Sequence, residues 1–175
     1  KNAKITVASI NNELVKKLKS VINITEVLPQ DLFKTKCDII SPCALGGAIN
    51  ESNKSQLKCR AIVGAANNQL ENSALGEWLI KNNIVYSPDY LVNSGGVIAI
   101  ASEINETEHL LENQLEKIGD RLLPVLNESK KNNEYFGDDL NRTIILNRLS
   151  AIGGIVISHK IQKAIADNQD ISTTY

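Results

Sequence analysis

The sequence predicts an α/β fold in which a parallel, doubly wound sheet is followed by a helical segment. Short apolar segments alternate with helix-like or loop segments every 20 to 25 residues, roughly, a spacing typical of βαβ units. From about residue 92 onward the pattern becomes helical throughout. The chain has 175 residues, 42% hydrophobic and 22% charged, which suits one domain with a helical appendage.

Five strands are predicted because each is a short apolar segment bounded by turn-forming residues. They cover residues 5–9, 22–27, 38–41, 60–65 and 84–86. Asn11 or Asn12 is expected to cap the first helix, and Asp31 a short helical turn. Ligands of such sheets bind beyond the carboxyl ends of the strands. The candidate binding loops therefore follow Ser9, Ser41, Ala65 and Tyr86.

The segment after the sheet is predicted to be helical and to pack back onto it. One helix is expected to start near Val97, and a second to cover residues 107–127, where leucines recur at helical spacing. A polar loop over 132–138 and a further helix over 140–166, interrupted at Gly153 and Gly154, complete this part.

Charge and cysteine content exclude several function classes. The net charge is −1, and the lysines at 16, 17 and 19 form a solvated helix face, so no nucleic-acid partner is expected. No apolar run is long enough to span a bilayer, and no membrane partner is expected. Three cysteines without CxxC spacing indicate reduced thiols in a cytoplasmic protein. Cys43 is expected to be a packing residue, and no metal site is predicted.

Three segments concentrate small residues and carboxamides at predicted strand ends. They are SPCALGGAIN (41–50), GAANNQL (64–70) and YSPDYLVNSGGVI (86–98). Small side chains let a ligand approach the backbone, and three consecutive carboxamides offer hydrogen-bond donors and acceptors. An Asn-rich turn that caps the next helix explains the second segment about equally well. Asp89, within the third, is interpreted as a turn or cap carboxylate rather than a catalytic group.

The order and spacing of CALGGAIN, GAANNQL and YSPDYLVNSGGVI resemble the cofactor domain of the glutamate/leucine/phenylalanine/valine dehydrogenases, most closely its leucine and phenylalanine branch. The resemblance is specific from residue 38 to about 103. It implies a partial Rossmann-like domain over residues 1–92, a helical segment facing a cleft over 93–175, and oxidative deamination of an apolar L-amino acid to a 2-oxo acid and ammonia. The cofactor contacts that it implies are Ser9, Ala44, Leu45, Asn67, Asn68 and Asn93.

The resemblance also implies a substrate pocket, which Asn68 would share with Val97 and Ile100. The two apolar residues fit an aliphatic or aromatic substrate and argue against glutamate. The alternative for both is an ordinary place in a helix core. The expected partners are a small amino acid or 2-oxo acid, further copies of the same chain in a homo-oligomer, and an N-terminal catalytic domain.

Two departures from the family pattern stand out. The dinucleotide fingerprint GxGxxG is absent, and the family's catalytic lysine and aspartate, which belong to a preceding domain, have no counterpart. The chain also begins inside a predicted strand, so we expect a fragment that is inactive alone. Ser9 stands where an acidic residue usually binds the adenine ribose. NAD is the expected cofactor. NADP is possible, because Ser9 carries no charge to repel a 2′-phosphate and Lys16 or Lys17 could approach it.

Two other functions compete with this interpretation. A non-enzymatic truncated Rossmann module, retained for dimerisation or partner binding, would also lack the fingerprint. A nucleotide-dependent transferase that shares only the architecture leaves ANNQ and NSGGV unexplained.

Overall fold

The computed structural model describes residues 3–135, so the helix predicted over 140–166 lies outside the described residues. The predicted fold class is confirmed: every strand pair is parallel, and helices follow the last strand. Within residues 3–135 the strands form two separate hydrogen-bonded sheets, one with two strands and one with three. No helix in this part of the chain is both long and apolar enough to cross a membrane.

The first sheet is one βαβ unit. Strand β1 (Ile5–Val7) pairs with β2 (Ile24–Glu26), and helix α1 (Asn12–Lys19) connects them. Asn11 caps α1, because its side chain accepts a hydrogen bond from the Leu14 N–H at 3.1 Å. The predicted cap is thus confirmed at Asn11. The next predicted turn is a 3₁₀ helix (Pro29–Lys34), and the prediction that Asp31 caps it was wrong, because Leu28 holds the cap position.

The second sheet carries the main hydrophobic core. Strands β3 (Ile39–Ile40), β4 (Ala61–Ile62) and β5 (Val85–Tyr86) lie side by side in that order. A 3₁₀ helix (Lys54–Gln56) precedes β4, and helix α2 (Ser73–Lys81) precedes β5. The core consists of Ile40, Ile49, Ile62, Leu79 and Ile84, with Trp78 partly buried against it. Since all three strands are parallel, their carboxyl ends meet at one edge.

Each strand of this sheet is shorter than predicted, with two residues in place of the expected three to six. The reason is local. Pro42 has no N–H to continue a ladder, and Gly64 lies so close to Pro42 that an added Cβ would overlap the Pro42 carbonyl oxygen. The backbone beyond Ile40 and Ile62 therefore leaves the sheet and forms loops that contact each other.

The helices after β5 are α3 (Asp89–Val92), α4 (Gly95–Ile104), a 3₁₀ helix (Glu108–Leu110), α5 (Leu111–Glu116) and α6 (Ile118–Asn132). The predicted single helix over 107–127 was wrong, because the chain turns at Lys117. This turn lets α5 pack against α4 while α6 packs against α3. Helix α6 also extends to Asn132, where the sequence predicted the start of a loop.

Candidate functional site

The first two candidate loops are joined backbone to backbone at the carboxyl edge of the second sheet. The Ala66 N–H donates to the Pro42 carbonyl at 3.0 Å, and the Gly47 N–H donates to the Asn68 carbonyl at 2.8 Å. Ile49 continues this pairing with Gln69 at 3.0 Å. The two loops therefore form one platform that is joined by backbone hydrogen bonds.

Gln69 holds this platform from inside. Its side chain is fully buried, and its amide nitrogen donates to the carbonyl oxygens of Gly64 at 2.7 Å and Ala66 at 2.9 Å. The expectation that three consecutive carboxamides face a ligand was wrong at this position. Only Asn67 and Asn68 are exposed. The buried Gln69 amide is satisfied at its nitrogen by the Gly64 and Ala66 carbonyls, while its oxygen has no hydrogen-bond partner within residues 3–135.

Asn67 and Asn93 meet directly across two loops. The amide nitrogen of Asn93 donates to the side-chain oxygen of Asn67 at 2.6 Å, and it lies 3.5 Å from the carbonyl oxygens of Ala65 and Ala66. The amide nitrogen of Asn67 and the amide oxygen of Asn93 take no part in this bond and have no hydrogen-bond partner within residues 3–135. The pair thus keeps one donor group and one acceptor group available to a ligand.

Asn68 has an exposed side chain on a tightly held backbone. Its φ of 51° lies in the left-handed region, and its backbone N–H donates to the carboxylate of Asp89. Asp89 also accepts from the N–H of Tyr90 at 2.8 Å. Sequence reasoning gave Asp89 no part in the site. The signal that could have found it is an acidic residue three positions after the end of β5.

A cavity of about 140 Å³ opens beside this contact. It is lined by Asn68, Gln69, Leu70, Asn72, Ser73, Tyr86, Asp89 and Tyr135. The rings of Tyr86 and Tyr135 are tilted against each other, with centroids 5.9 Å apart. Burial, and then the negative charge of Asp89, raise the pKa of Tyr86 well above its usual range. Tyr86 therefore stays a neutral phenol at any working pH.

The apolar residues predicted to contact the cofactor or the substrate side chain are exposed. Leu45 is 86% exposed, Val97 is 65% exposed and Ile100 is 59% exposed. Val97 and Ile100 are three positions apart on α4 and share one face, while Ile98 on the opposite face is buried at 4%. Neither residue is therefore a helix-core residue in the described part of the chain. Two adjoining exposed apolar side chains of this kind make this face of α4 a candidate binding surface.

The small residues of the first loop are exposed as well. Ala44 lies on the surface next to Leu45. The expectation that Cys43 packs into the interior was wrong: its thiol is exposed, 3.4 Å from the Ser41 hydroxyl. The buried residues of this segment are Pro42, which packs against Gly64, and Ile49 of the core.

Ser9 lies apart from these loops, just beyond the end of β1 in the other sheet. Its hydroxyl oxygen accepts a hydrogen bond from the Asn11 N–H at 3.0 Å, which leaves the hydroxyl hydrogen able to donate elsewhere. Lys16, on the following helix, forms an exposed ion pair with Glu13 at 2.9 Å. The structure thus brings together Asn67, Asn68 and Asn93 with the loop of Ala44 and Leu45, and keeps Ser9 on a separate sheet.

Parallel strands, small residues at their carboxyl ends and a helical segment beyond them define a partial Rossmann-like α/β domain. Comparison with known proteins then identifies the family: the chain belongs to the Glutamate/Leucine/Phenylalanine/Valine dehydrogenases, whose model matches residues 2–135. The resemblance seen in the three loop segments is thereby confirmed.

Individual relatives agree with this assignment. The chain is 38% identical over 131 residues to leucine dehydrogenase of Bacillus cereus, covering 74% of this chain and 36% of that protein. It is 40% identical over 126 residues to phenylalanine dehydrogenase of Thermoactinomyces intermedius, covering 71% of this chain and 34% of that protein. The crystal structure of L-tryptophan dehydrogenase from Nostoc punctiforme superposes with a TM-score of 0.77 at 33% identity, over 85% of this chain and 45% of that one. The chain thus spans about a third of the length of the curated relatives that it matches.

Proposed function

We propose that this chain is the cofactor-binding part of an NAD(P)-dependent dehydrogenase that oxidatively deaminates an apolar L-amino acid to a 2-oxo acid and ammonia. Membership of the dehydrogenase family supports the reaction class. The single observation that carries the proposal is the Asn67–Asn93 pair at the carboxyl edge of the sheet.

This pair fits the amide group of a nicotinamide. A primary carboxamide offers two N–H donors and one oxygen acceptor, and the pair keeps an amide oxygen on Asn93 and an amide nitrogen on Asn67 to meet them. At Gly46 the platform has no room for a side chain, because an added Cβ would lie 3.1 Å from the Asn68 carbonyl oxygen and 3.2 Å from that of Asn67. A flat ring can approach such a surface closely.

The neighbouring residues have the chemistry to orient an amino acid beside that ring. When bound, the nicotinamide would accept hydride from the Cα of the substrate. The Asn68 carboxamide has no partner within residues 3–135 and would hydrogen-bond the polar end of the substrate. Val97 and Ile100 would form an apolar wall for its side chain, which favours leucine, valine, phenylalanine or tryptophan over glutamate, while Ala44 and Leu45 would contact the cofactor.

Ser9 would approach the adenine ribose, and we infer NAD as the main cofactor. The Ser9 hydroxyl can donate one hydrogen bond to a ribose hydroxyl and carries no charge to repel a 2′-phosphate. NADP therefore stays in the proposal as a second cofactor. The free cysteines are consistent with a reducing cytoplasm, and we infer a homo-oligomer for the complete enzyme.

The decisive experiment measures NADH and NADPH formation with L-leucine, L-valine, L-phenylalanine and L-tryptophan. It compares this polypeptide alone with the same polypeptide joined to the segment encoded upstream of it. The proposal expects no turnover by the chain alone, and turnover when the catalytic lysine and aspartate are supplied. Absence of turnover in both forms would contradict it, and turnover by the chain alone would mean that the catalytic groups lie within these residues.

Replacing Asn68 tests the site itself. In the active form, Asn68→Ala should lower kcat/KM by about one to three powers of ten, or roughly 1.4 to 4 kcal/mol, because the substrate loses an orienting hydrogen bond. Asn113→Ala is the matched control, since Asn113 is an exposed asparagine on α5. Equal kinetics for the two variants would remove Asn68 from the site.

A partner-binding module without catalysis is the second candidate. Large apolar side chains are exposed around the first βαβ unit, among them Ile10 at 95%, Val21 at 75% and Leu14 at 61%. Such a surface is expected to be covered by another polypeptide. A chain that co-purifies stoichiometrically with a second polypeptide, while the joined form turns over none of the four amino acids, would favour this function.

A further inference from the structure

The carboxylate of Asp89 bonds the backbone of Asn68, and none of the roles assigned above uses it. We propose that Asp89 is a positioning residue, which fixes the conformation of Asn68 and couples it to the Asn67–Asn93 pair. The inference rests on the proposed function, because the Asn68 carboxamide is the group that would meet the substrate.

Asn68 needs such a support because its backbone conformation is uncommon. A φ of 51° is left-handed, a region that side chains other than glycine, asparagine and aspartate rarely adopt. Two bonds hold it there: the N–H donates to Asp89, and the carbonyl accepts from the Gly47 N–H at 2.8 Å. With both backbone groups engaged, only the side-chain carboxamide is left to bind a ligand.

Asp89 is itself held from its own segment. Its second carboxylate oxygen accepts from the Tyr90 N–H at 2.8 Å, and its backbone carbonyl accepts from the Asn93 N–H at 2.9 Å. Asn93 in turn bonds Asn67 at 2.6 Å. One residue thus connects the segment that carries Asn93 to the loop that carries Asn67 and Asn68, and the three carboxamides keep a fixed relation.

The geometry requires a carboxylate rather than a carboxamide. Asp89 accepts one N–H on each of its two oxygens, and a bond to a charged acceptor is stronger than a neutral one. An asparagine at this position has a single oxygen, so its NH₂ group would face one of the two N–H donors. Asp89→Asn therefore removes one of the two bonds with almost no change in volume, whereas Asp89→Glu keeps both oxygens.

A double-mutant cycle on the joined, active form tests the coupling. Asp89→Asn should lower kcat/KM by about tenfold or more, mainly through kcat, because Asn68 is no longer held where the substrate reacts. In an Asn68→Ala background the same change should cost less than about twofold, since no carboxamide is left to position. Asp89→Glu should restore part of the loss. Full additivity of the two substitutions would overturn the proposal.

A spectroscopic measurement on this chain separates the inference from the proposed function. The Asn68 amide proton should resonate far downfield and exchange slowly in the unaltered chain, and Asp89→Asn should move it upfield with faster exchange. Asp120→Asn, at an exposed aspartate in the first turn of α6, should leave it unchanged. An unmoved signal in Asp89→Asn would overturn the positioning role. A joined form without turnover, but with the shifted signal, would reject the dehydrogenase function and retain the Asp89–Asn68 bond.

Discussion

Substituting Gly64 with alanine tests whether the site depends on close contact between the loops after β3 and β4. An added Cβ would overlap the Pro42 carbonyl oxygen and lie 2.6 Å from both the Cδ and the nitrogen of Pro42. These atoms belong to backbone or to a rigid ring, so no side-chain rotation can relieve the overlap. The loops must separate, and the 3.0 Å bond from the Ala66 N–H to the Pro42 carbonyl must lengthen.

The expected loss follows from these two effects. Overpacking a tight interior site costs about 1–3 kcal/mol, and a lost hydrogen bond adds about 0.5–1.5 kcal/mol. A total near 2–4 kcal/mol corresponds to a fall in Tm of about 4–16 °C for a chain of this size. Thermal unfolding followed by circular dichroism measures it.

Gly119 supplies the matched control for this substitution. It lies in α6 with nothing within 4 Å of an added Cβ, so Gly119→Ala should raise stability by up to about 1 kcal/mol through helix propensity. Equal Tm values for Gly64→Ala and Gly119→Ala would refute the contact between the loops as a source of stability.

Two further predictions concern reactivity and specificity. Cys43 should react first with a thiol reagent at pH 8, because it is exposed. Cys59 should react last, because burial raises its pKa to about 11 and leaves only about one thiol in a thousand as thiolate. Modification followed by peptide mass analysis gives the order, and early labelling of Cys59 would contradict the prediction. In the joined, active form, Val97→Phe should lower kcat/KM for phenylalanine relative to kcat/KM for valine, because a larger side chain fills the exposed face of α4. An unchanged ratio of the two values would place Val97 outside the pocket.

The sequence predicted the order and type of the elements well because the signals are local. Apolar segments at Ile39–Ile40, Ala61–Ile62 and Val85–Tyr86 stand between turn residues, and parallel pairing follows from the helical or loop connections between them. The strand ends and the break at Lys117 were not predictable in this way. They depend on tertiary contacts, namely Pro42 against Gly64 and α5 against α4, which no periodicity encodes.

The site was predicted in part for a related reason. The concentration of small residues and amides at strand ends indicated where ligand groups would lie, and the structure brings Asn67 and Asn93 into direct contact. The sequence pattern could not show which amide side chains turn inward. Gln69 and Asn68 are adjacent and chemically alike, yet Gln69 is buried within the loop and Asn68, whose backbone is left-handed, is exposed.

The same turn explains why the three loops act together. Strands of two residues provide few ladder bonds, so the carboxyl edge of the sheet is held mainly by bonds between loops: Pro42 with Ala66, Gly47 with Asn68, and Asn68 with Asp89. Loosening one of these bonds frees the backbone on which the exposed carboxamides depend. A ligand that engages Asn67, Asn68 and Asn93 together would oppose that loosening, and its binding energy would appear as added stability of the whole edge. Substitution of Gly64 should therefore weaken ligand binding and the loop platform in parallel, even though residue 64 does not need to touch the ligand.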